Sequence, residues 1–97
     1  MKVKINTEIP GPKSKELAQK RQKYVANGHG SVCGDFIEKA DGSNLIDVDG
    51  NVFIDYAGGI GTMNVGHSHP RVVMAMKKQL EKYIHPCFTV APYYKRW

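Results

Sequence analysis

Two Asp-Gly pairs punctuate the middle of this 97-residue chain and constrain its fold more than any other feature. Asp41-Gly42 and Asp49-Gly50 separate three short segments rich in β-branched or aromatic residues, at 36–40, 45–48 and 52–56. Asp-Gly readily adopts the positive φ angles of a two-residue type I′ turn, so the second pair predicts a sharp hairpin. The pattern therefore predicts a three-stranded antiparallel meander.

A helix is predicted before the meander. Residues 1–12 form a proline-containing arm, because proline fixes φ and restricts the residue before it. The helix is expected to begin at Ser14, whose hydroxyl can cap the first turn, and to run to Asn27, before Gly28. Its apolar stripe is thin, so it is expected to lie on something larger.

A second helix is predicted after the meander. Pro70 is suited to a first helical position, with Ser68 or His69 before it as the cap, and the helix is expected to end before Pro86. One face is apolar, formed by Val73, Met76, Leu80, Tyr83 and Ile84. Helix, strands and helix in this order give the strands only thin cover, so the sequence predicts an incomplete core.

A glycine-rich passage joins the strands to the second helix. Residues 57–66, called the glycine loop below, hold four glycines, which indicates a backbone that passes close to something. The spacing does not match a phosphate-binding loop: Gly59-x-Gly61 is followed at the third position by Asn64, and no P-loop Gly-Lys-Ser/Thr occurs. The loop is therefore not expected to bind a nucleotide.

Other combinations of reactive side chains give weak signals. Three histidines and two cysteines lack the paired spacing of structural zinc sites, so no metal ligands are predicted: His67, His69, His85, Cys33 and Cys87. No Gly-x-Ser-x-Gly motif occurs, which argues against a serine hydrolase. The acidic residues Asp47, Asp49 and Asp55 are interpreted as solvated hairpin charges.

Charge and composition leave a soluble binding protein or enzyme open. The net charge of +5 divides into +4 over residues 1–35, −4 over 36–69 and +5 over 70–97. Two basic stretches allow a nucleic-acid partner, but solvated helix faces explain them more simply. No apolar run approaches the roughly 20 residues of a membrane-spanning helix, and no export signal is visible, so a cytoplasmic protein without membrane contact is expected.

Six segments together resemble one known family. They read Ile-Pro-Gly-Pro-Lys-Ser (9–14), Lys-Arg-Gln-Lys-Tyr-Val (20–25), Phe-Ile-Glu-Lys-Ala (36–40), Leu-Ile-Asp-Val-Asp-Gly-Asn (45–51), Phe-Ile-Asp-Tyr-Ala-Gly-Gly-Ile (53–60) and Asn-Val-Gly-His-Ser-His-Pro (64–70). This set, within residues 3–93, closely resembles the start of class III pyridoxal-phosphate aminotransferases, most of all the bacterial 4-aminobutyrate type.

The resemblance implies a fold and an activity. It implies an α/β enzyme of fold-type I, a homodimer that carries an amino group from 4-aminobutyrate to 2-oxoglutarate on pyridoxal phosphate. Related enzymes use ornithine, acetylornithine or β-alanine. Residues 1–12 would be an arm, 13–66 the small N-terminal part, and 67–97 the truncated start of the large cofactor-binding domain.

The resemblance also places site residues. Ile60 matches a wall of the substrate pocket, and Thr89 matches a position that lines it, where the family more often has a longer side chain. The Schiff-base lysine, the phosphate-binding turn and the other cofactor contacts would all follow Trp97, so no catalytic or cofactor-binding residue is expected here.

The match to the family pattern stops after Tyr93. A frameshift or premature stop is the hypothesis for this difference, and the chain alone is expected to be inactive. The alternative function is a small basic interaction module that docks on an intact aminotransferase subunit or on nucleic acid.

Overall fold

Three strands and three helical segments make up the computed structural model, which describes residues 2–87 and 89–91. In chain order these are α1 (Pro12–Tyr24), β1 (Ile37–Asp41), β2 (Asn44–Asp47), β3 (Val52–Ile54), the single turn α2 (Gly58–Gly61) and α3 (Pro70–Leu80). The predicted order of helix, meander, glycine-rich passage and helix is confirmed.

The strands form one antiparallel sheet in the order β1-β2-β3. Ala40 lies opposite Leu45, and Leu45 lies opposite Phe53 on the other side. The arm adds one further pair of hydrogen bonds to β3, between the backbones of Lys4 and Val52, at 3.1 and 2.7 Å. The sheet therefore holds the N-terminal arm along its β3 edge.

The two-residue turn of the meander is not at the position that the sequence predicted. The Asp49-Gly50 turn is a three-residue loop, since the Asp47 amide donates to the Asn51 carbonyl at 3.1 Å and Gly50 closes the loop with φ +82°. The two-residue turn lies instead between β1 and β2, with Gly42 at φ +56° as its first residue. The predicted type I′ turn at Asp49-Gly50 is wrong because Asp47 accepts hydrogen bonds from within its own loop.

Helix α1 begins two residues earlier than predicted, and Ser14 is not its cap. The N-cap is Gly11, which has no side chain to offer, and the helix ends at Tyr24 rather than near Gly28. The carboxylate of Asp49 supplies the missing acceptors: it binds the backbone amides of Lys13 and Ser14 at 2.9 and 3.0 Å. The cap thus comes from the hairpin, 35 or more residues further along the chain.

Gly11 is required by this cap. A Cβ atom at position 11 would lie 2.4 Å from Cγ of Asp49. Any side chain there would displace the carboxylate from the helix, so the glycine of the Pro-Gly-Pro sequence provides the space for the cap.

A buried polar cluster, rather than an apolar core, organises the first part of the chain. We define the polar cluster as Ser14, Asp47, Asp49 and Asn51. Ser14, Asp47 and Asn51 are fully buried, and no apolar side chain among the described residues is buried. Asp47 accepts the Asn51 amide at 2.7 Å and its side-chain NH₂ at 2.7 Å. The predicted incomplete core is confirmed, and the interpretation of Asp47 as a solvated charge is wrong.

Asn51 connects the cluster to the arm. Its side-chain oxygen accepts the amides of Asn6 and Thr7 at 2.7 and 3.1 Å, and its NH₂ group donates to the Thr7 hydroxyl at 2.9 Å. A fully satisfied buried amide is favourable where an unsatisfied one would be costly. These bonds fix the arm against the hairpin.

Helix α3 starts as predicted, with Pro70 at its first turn and His69 as the N-cap. Nδ1 of His69 accepts the Arg71 amide at 3.3 Å. Its apolar residues are largely exposed, with Val73 partly covered. The helix ends at Leu80, earlier than predicted, so Tyr83 and Ile84 follow it and do not extend its apolar face. The chain divides into two compact units, one up to His67 and one from Ser68 onward, so α3 belongs to the second. Within the described residues, no helix is long and apolar enough to cross a membrane.

Candidate functional site

Asp55 fixes the entry to the glycine loop. It directly follows β3, and its amide donates to the Ser43 carbonyl at 2.8 Å. One carboxylate oxygen, Oδ1, accepts the amides of Ala57 and Gly58 at 3.0 and 2.8 Å. Aspartate commonly forms this local turn with the amides that follow it. The start of the loop is therefore set by the strand that precedes it.

The loop then makes a left-handed turn, α2. Its residues have positive φ angles throughout: +54° at Gly58, +62° at Gly59, +58° at Ile60 and +76° at Gly61. Three glycines make such a turn accessible, but a β-branched side chain at positive φ is strained. Ile60 nevertheless occupies it, and its side chain is 93% exposed. The turn holds this apolar side chain outward.

Hydrogen bonds close the turn on itself. The amides of Gly61, Thr62 and Met63 donate to the carbonyls of Ala57 or Gly58, each at 2.9 Å. The Thr62 hydroxyl adds a bond to the Gly59 carbonyl at 3.0 Å. These contacts are all local, so they stabilise the turn but do not attach it to the sheet.

His67 attaches the far end of the loop. Its Nε2 lies 2.6 Å from Oδ2 of Asp55, and the two side chains are only 18% and 8% exposed. The hydrogen bond from His67 holds the pKa of the Asp55 carboxyl below its ordinary value, and the amide bonds of Gly58 and Ala57 act in the same direction, against burial. We call this pair the Asp55–His67 clasp.

The backbone of His67 is also paired with the first hairpin turn. Its amide donates to the Gly42 carbonyl at 2.7 Å and its carbonyl accepts the Gly42 amide at 3.0 Å. Gly66 must be glycine for this approach, because it has φ +82° and its Cβ would lie 3.0 Å from the Gly42 oxygen. The loop is thus closed at its base by both side chains and backbone.

A cleft of about 370 Å³ lies inside this closure. Its lining combines the clasp with loop and hairpin residues: Gly42, Ser43, Asp55, Met63, Val65 and His67. The cleft has an ionised group and apolar side chains side by side, a combination typical of sites for small amphiphilic molecules.

A comparison with known protein families identifies the segment. The family model of class-III aminotransferases matches residues 24–96. The chain belongs to the class-III aminotransferases.

This aminotransferase segment is similar in sequence to 4-aminobutyrate aminotransferases of two bacteria. It is 51% identical over 75 residues to a probable 4-aminobutyrate aminotransferase of Bacillus subtilis, covering 77% of the chain and 17% of that protein. It is 42% identical over 90 residues to the 4-aminobutyrate aminotransferase of Mycobacterium tuberculosis, covering 93% of the chain and 20% of the relative. The chain therefore spans about a fifth of the length of these relatives.

A solved aminotransferase has the same fold in this region. Taurine:2-oxoglutarate aminotransferase from Bifidobacterium kashiwanohense, in complex with PLP and glutamate, superposes with a TM-score of 0.61 at 27% identity, over 96% of the chain and 19% of that structure. The predicted family and the N-terminal part of a fold-type I aminotransferase are confirmed.

Thr89 of the aminotransferase segment lies in the second compact unit, whereas Ile60 lies in the first. Thr89 is exposed, and its hydroxyl lies 3.0 Å from Sγ of Cys87. The hydrogen bonds from the Thr89 side chain and backbone lower the pKa of the Cys87 thiol. The assignment of Thr89 and Ile60 to a substrate pocket stays a prediction.

The lysines of this aminotransferase segment lie at its surface in the part of the chain that the structure describes. A Schiff-base lysine works in a pocket that excludes water and lowers its pKa. Every lysine in the described ranges is exposed to solvent. Within the same ranges, no three His, Cys, Asp or Glu side chains cluster as metal ligands do.

Sequence reasoning missed the clasp in this aminotransferase segment. Asp55 was interpreted as a solvated charge, but its side chain is almost completely covered. His67 was considered only for metal binding, turns and caps. The sequence signal that could have indicated the pair is their position at the two ends of the glycine loop, 12 residues apart.

Proposed function

We propose that the chain is the N-terminal segment of an enzyme that transfers the amino group of 4-aminobutyrate to 2-oxoglutarate. One observation carries the proposal: the left-handed turn α2 holds Ile60 93% exposed. This turn lies in a segment that is 51% identical to a probable 4-aminobutyrate aminotransferase. The resemblance assigns Ile60 to a pocket wall, and an outward apolar side chain on a fixed turn suits that role.

The chemistry of the wall favours one amino donor. 4-Aminobutyrate has only methylene groups between its amino and carboxylate ends, and these can contact Ile60 without burying a charged group. Ornithine has an additional α-ammonium group, and burying a charge without a partner is costly. β-Alanine is shorter and contacts the wall less. We therefore place 4-aminobutyrate ahead of both.

The proposal includes the organisation that the resemblance implies. Residues 13–66 belong to the small N-terminal part, and residues 67–97 begin the large cofactor-binding domain. The enzyme is a cytoplasmic homodimer that uses pyridoxal phosphate. The resemblance also assigns Thr89 to substrate binding, and its hydroxyl lies 3.0 Å from Sγ of Cys87.

The 97-residue polypeptide on its own does not transaminate under this proposal. Its described lysines are exposed, so pyridoxal phosphate mixed with the chain forms only reversible adducts at solvent-facing amines. An absorbance scan before and after borohydride and dialysis tests this point. A stoichiometric band in the region of a lysine-bound aldehyde that responds to 4-aminobutyrate would contradict it.

A segment exchange tests the enzyme assignment. Residues 24–91 of this chain replace the matching segment of the Bacillus subtilis relative, and the product is assayed with 2-oxoglutarate and four donors: 4-aminobutyrate, ornithine, acetylornithine and β-alanine. We expect kcat/KM to be highest for 4-aminobutyrate. A higher value for another donor would overturn the substrate, and a folded, inactive product would overturn the assignment.

A further inference from the structure

We propose that the Asp55–His67 clasp is a positioning device that holds the glycine loop, and with it Ile60, in the strained left-handed conformation. The consequence for substrate binding rests on the proposed function. The effect on the loop does not, because every contact involved lies within residues 42–67 of this chain.

The loop needs an external constraint because its own bonds do not supply one. The turn α2 is closed only by hydrogen bonds among residues 57–63. Ile60 sits in a backbone region that a β-branched residue disfavours, and its exposed side chain gains no packing in return. A strained conformation persists only where the surrounding structure over-determines it.

The clasp supplies this constraint from both ends of the loop. Asp55 binds the first two loop amides with Oδ1 and the Nε2 atom of His67 with Oδ2, so one carboxylate joins entry and exit. The second attachment, between the backbones of His67 and Gly42, connects the exit to the sheet. The two partners are largely covered and lie 2.6 Å apart, and a hydrogen bond to an ionised carboxylate is roughly twice as strong as one between neutral groups.

Two substitutions of different side-chain length distinguish the hydrogen bond of the clasp from a general packing role of His67. The amide nitrogen of a glutamine lies close to where Nε2 of histidine lies, whereas asparagine is too short to reach it. His67→Gln can therefore still donate to Asp55, and His67→Asn cannot. His29→Asn is the matched control, because His29 is exposed and its recorded contact is made by its backbone carbonyl.

Amide hydrogen exchange in the full 97-residue chain is the first measurement. In His67→Asn we expect the amides of Gly61, Thr62 and Met63 to exchange about tenfold faster or more, the factor for losing a charge-assisted bond. The amides of β2 and β3 should keep their rates, and His67→Gln should restore most of the protection. Equal rates in all variants, a uniform increase over the whole sheet, or an unprotected loop in the unaltered chain would each overturn the proposal.

Kinetics in the segment-exchanged aminotransferase form the second measurement. If the clasp positions Ile60, His67→Asn raises KM for 4-aminobutyrate about tenfold with a smaller change in kcat, because binding of the donor is weakened throughout the reaction. Recovery of KM in His67→Gln supports positioning. An unchanged KM with a loosened loop would overturn the positioning role. An inactive exchanged enzyme with His67 intact would count against the proposed function alone, since the exchange rates are measured independently.

Discussion

Ile60 is a β-branched residue with φ +58° and ψ +56°, a conformation that glycine adopts far more readily. Its neighbours on both sides are glycines, so position 60 alone carries a side chain within the turn. No sequence pattern predicted this backbone, because isoleucine is normally typical of a strand. Only the resemblance singled the residue out, and the strain became visible in the structure.

Replacing Ile60 with glycine is expected to stabilise the chain. Relief of left-handed strain contributes about 1–2 kcal/mol, and the entropy of an added glycine offsets roughly half of it. The side chain is 93% exposed, so little burial is lost. We expect the free energy of unfolding, measured by urea titration, to rise by roughly 0.5–1 kcal/mol.

Ile54→Gly in β3 serves as the comparison for that experiment. There the backbone is extended and glycine weakens a strand, so stability should fall. If both substitutions lower the urea midpoint, Ile60 is not strained in solution.

Local sequence signals predicted the existence of each element well and its ends poorly. The meander followed from turn residues and β-branched segments, and Pro70 correctly predicted the start of α3. The start of α1 was misplaced because its cap is the distant Asp49, and the hairpin loop was misassigned because Asp47 binds Asn51. The first error has a long-range cause, since Asp49 lies 35 or more residues beyond the helix start that it caps. The second has a local cause, since the side chain of Asp47 binds a residue four positions further on, which a rule based on the Asp-Gly pair alone does not include.

Acid should release the cap of α1. Burial raises the pKa of Asp49, but the hydrogen bonds from Lys13 and Ser14 outweigh it, so the pKa lies below the ordinary 3.8. A carboxyl group whose pKa is lower in the folded chain than in the unfolded chain stabilises the fold at pH values above its unfolded pKa. This stabilisation is lost as the pH falls through the folded pKa. We expect the amide NMR shifts of Lys13 and Ser14 to stay constant down to about pH 4 and then move.

Two variants check the origin of that titration. Asp49→Ala should abolish it and reduce helix content at neutral pH, whereas Asp41→Ala, at an exposed carboxylate, should leave it intact. A titration midpoint above 3.8 for Asp49 would contradict the assignment of the cap.

At the scale of the whole molecule, hydrogen bonds between buried polar side chains take the place that an apolar core has in most domains. Among the described residues the fully covered side chains are Ser14, Asp47 and Asn51, while large apolar side chains in both units face solvent. The thin apolar patterns in the sequence predicted the incomplete core. They gave no indication of the polar cluster, because buried polar groups follow from geometry rather than from composition.

Asn51→Ala is expected to lower the free energy of unfolding by about 3 kcal/mol, because it leaves buried partners at Asp47 and the arm unsatisfied. Urea unfolding followed by circular dichroism measures the loss. The matched variant Asn44→Ala removes a single, longer bond of 3.3 Å and should cost less than about 1 kcal/mol. Similar midpoints for the two variants would show that the cluster does not hold this part of the chain together.

The bonds from Asn51 to Asn6 and Thr7 also set an order of events during synthesis. The arm leaves the ribosome before its partner, which is 44 or 45 residues behind it. Until residue 51 has emerged, the Asn51 side chain is not available to those arm amides, and water can take its place as the acceptor. The arm of the growing polypeptide thus stays unattached through the translation of α1, β1 and β2, and the loop that leads into β3 brings the residue that binds it.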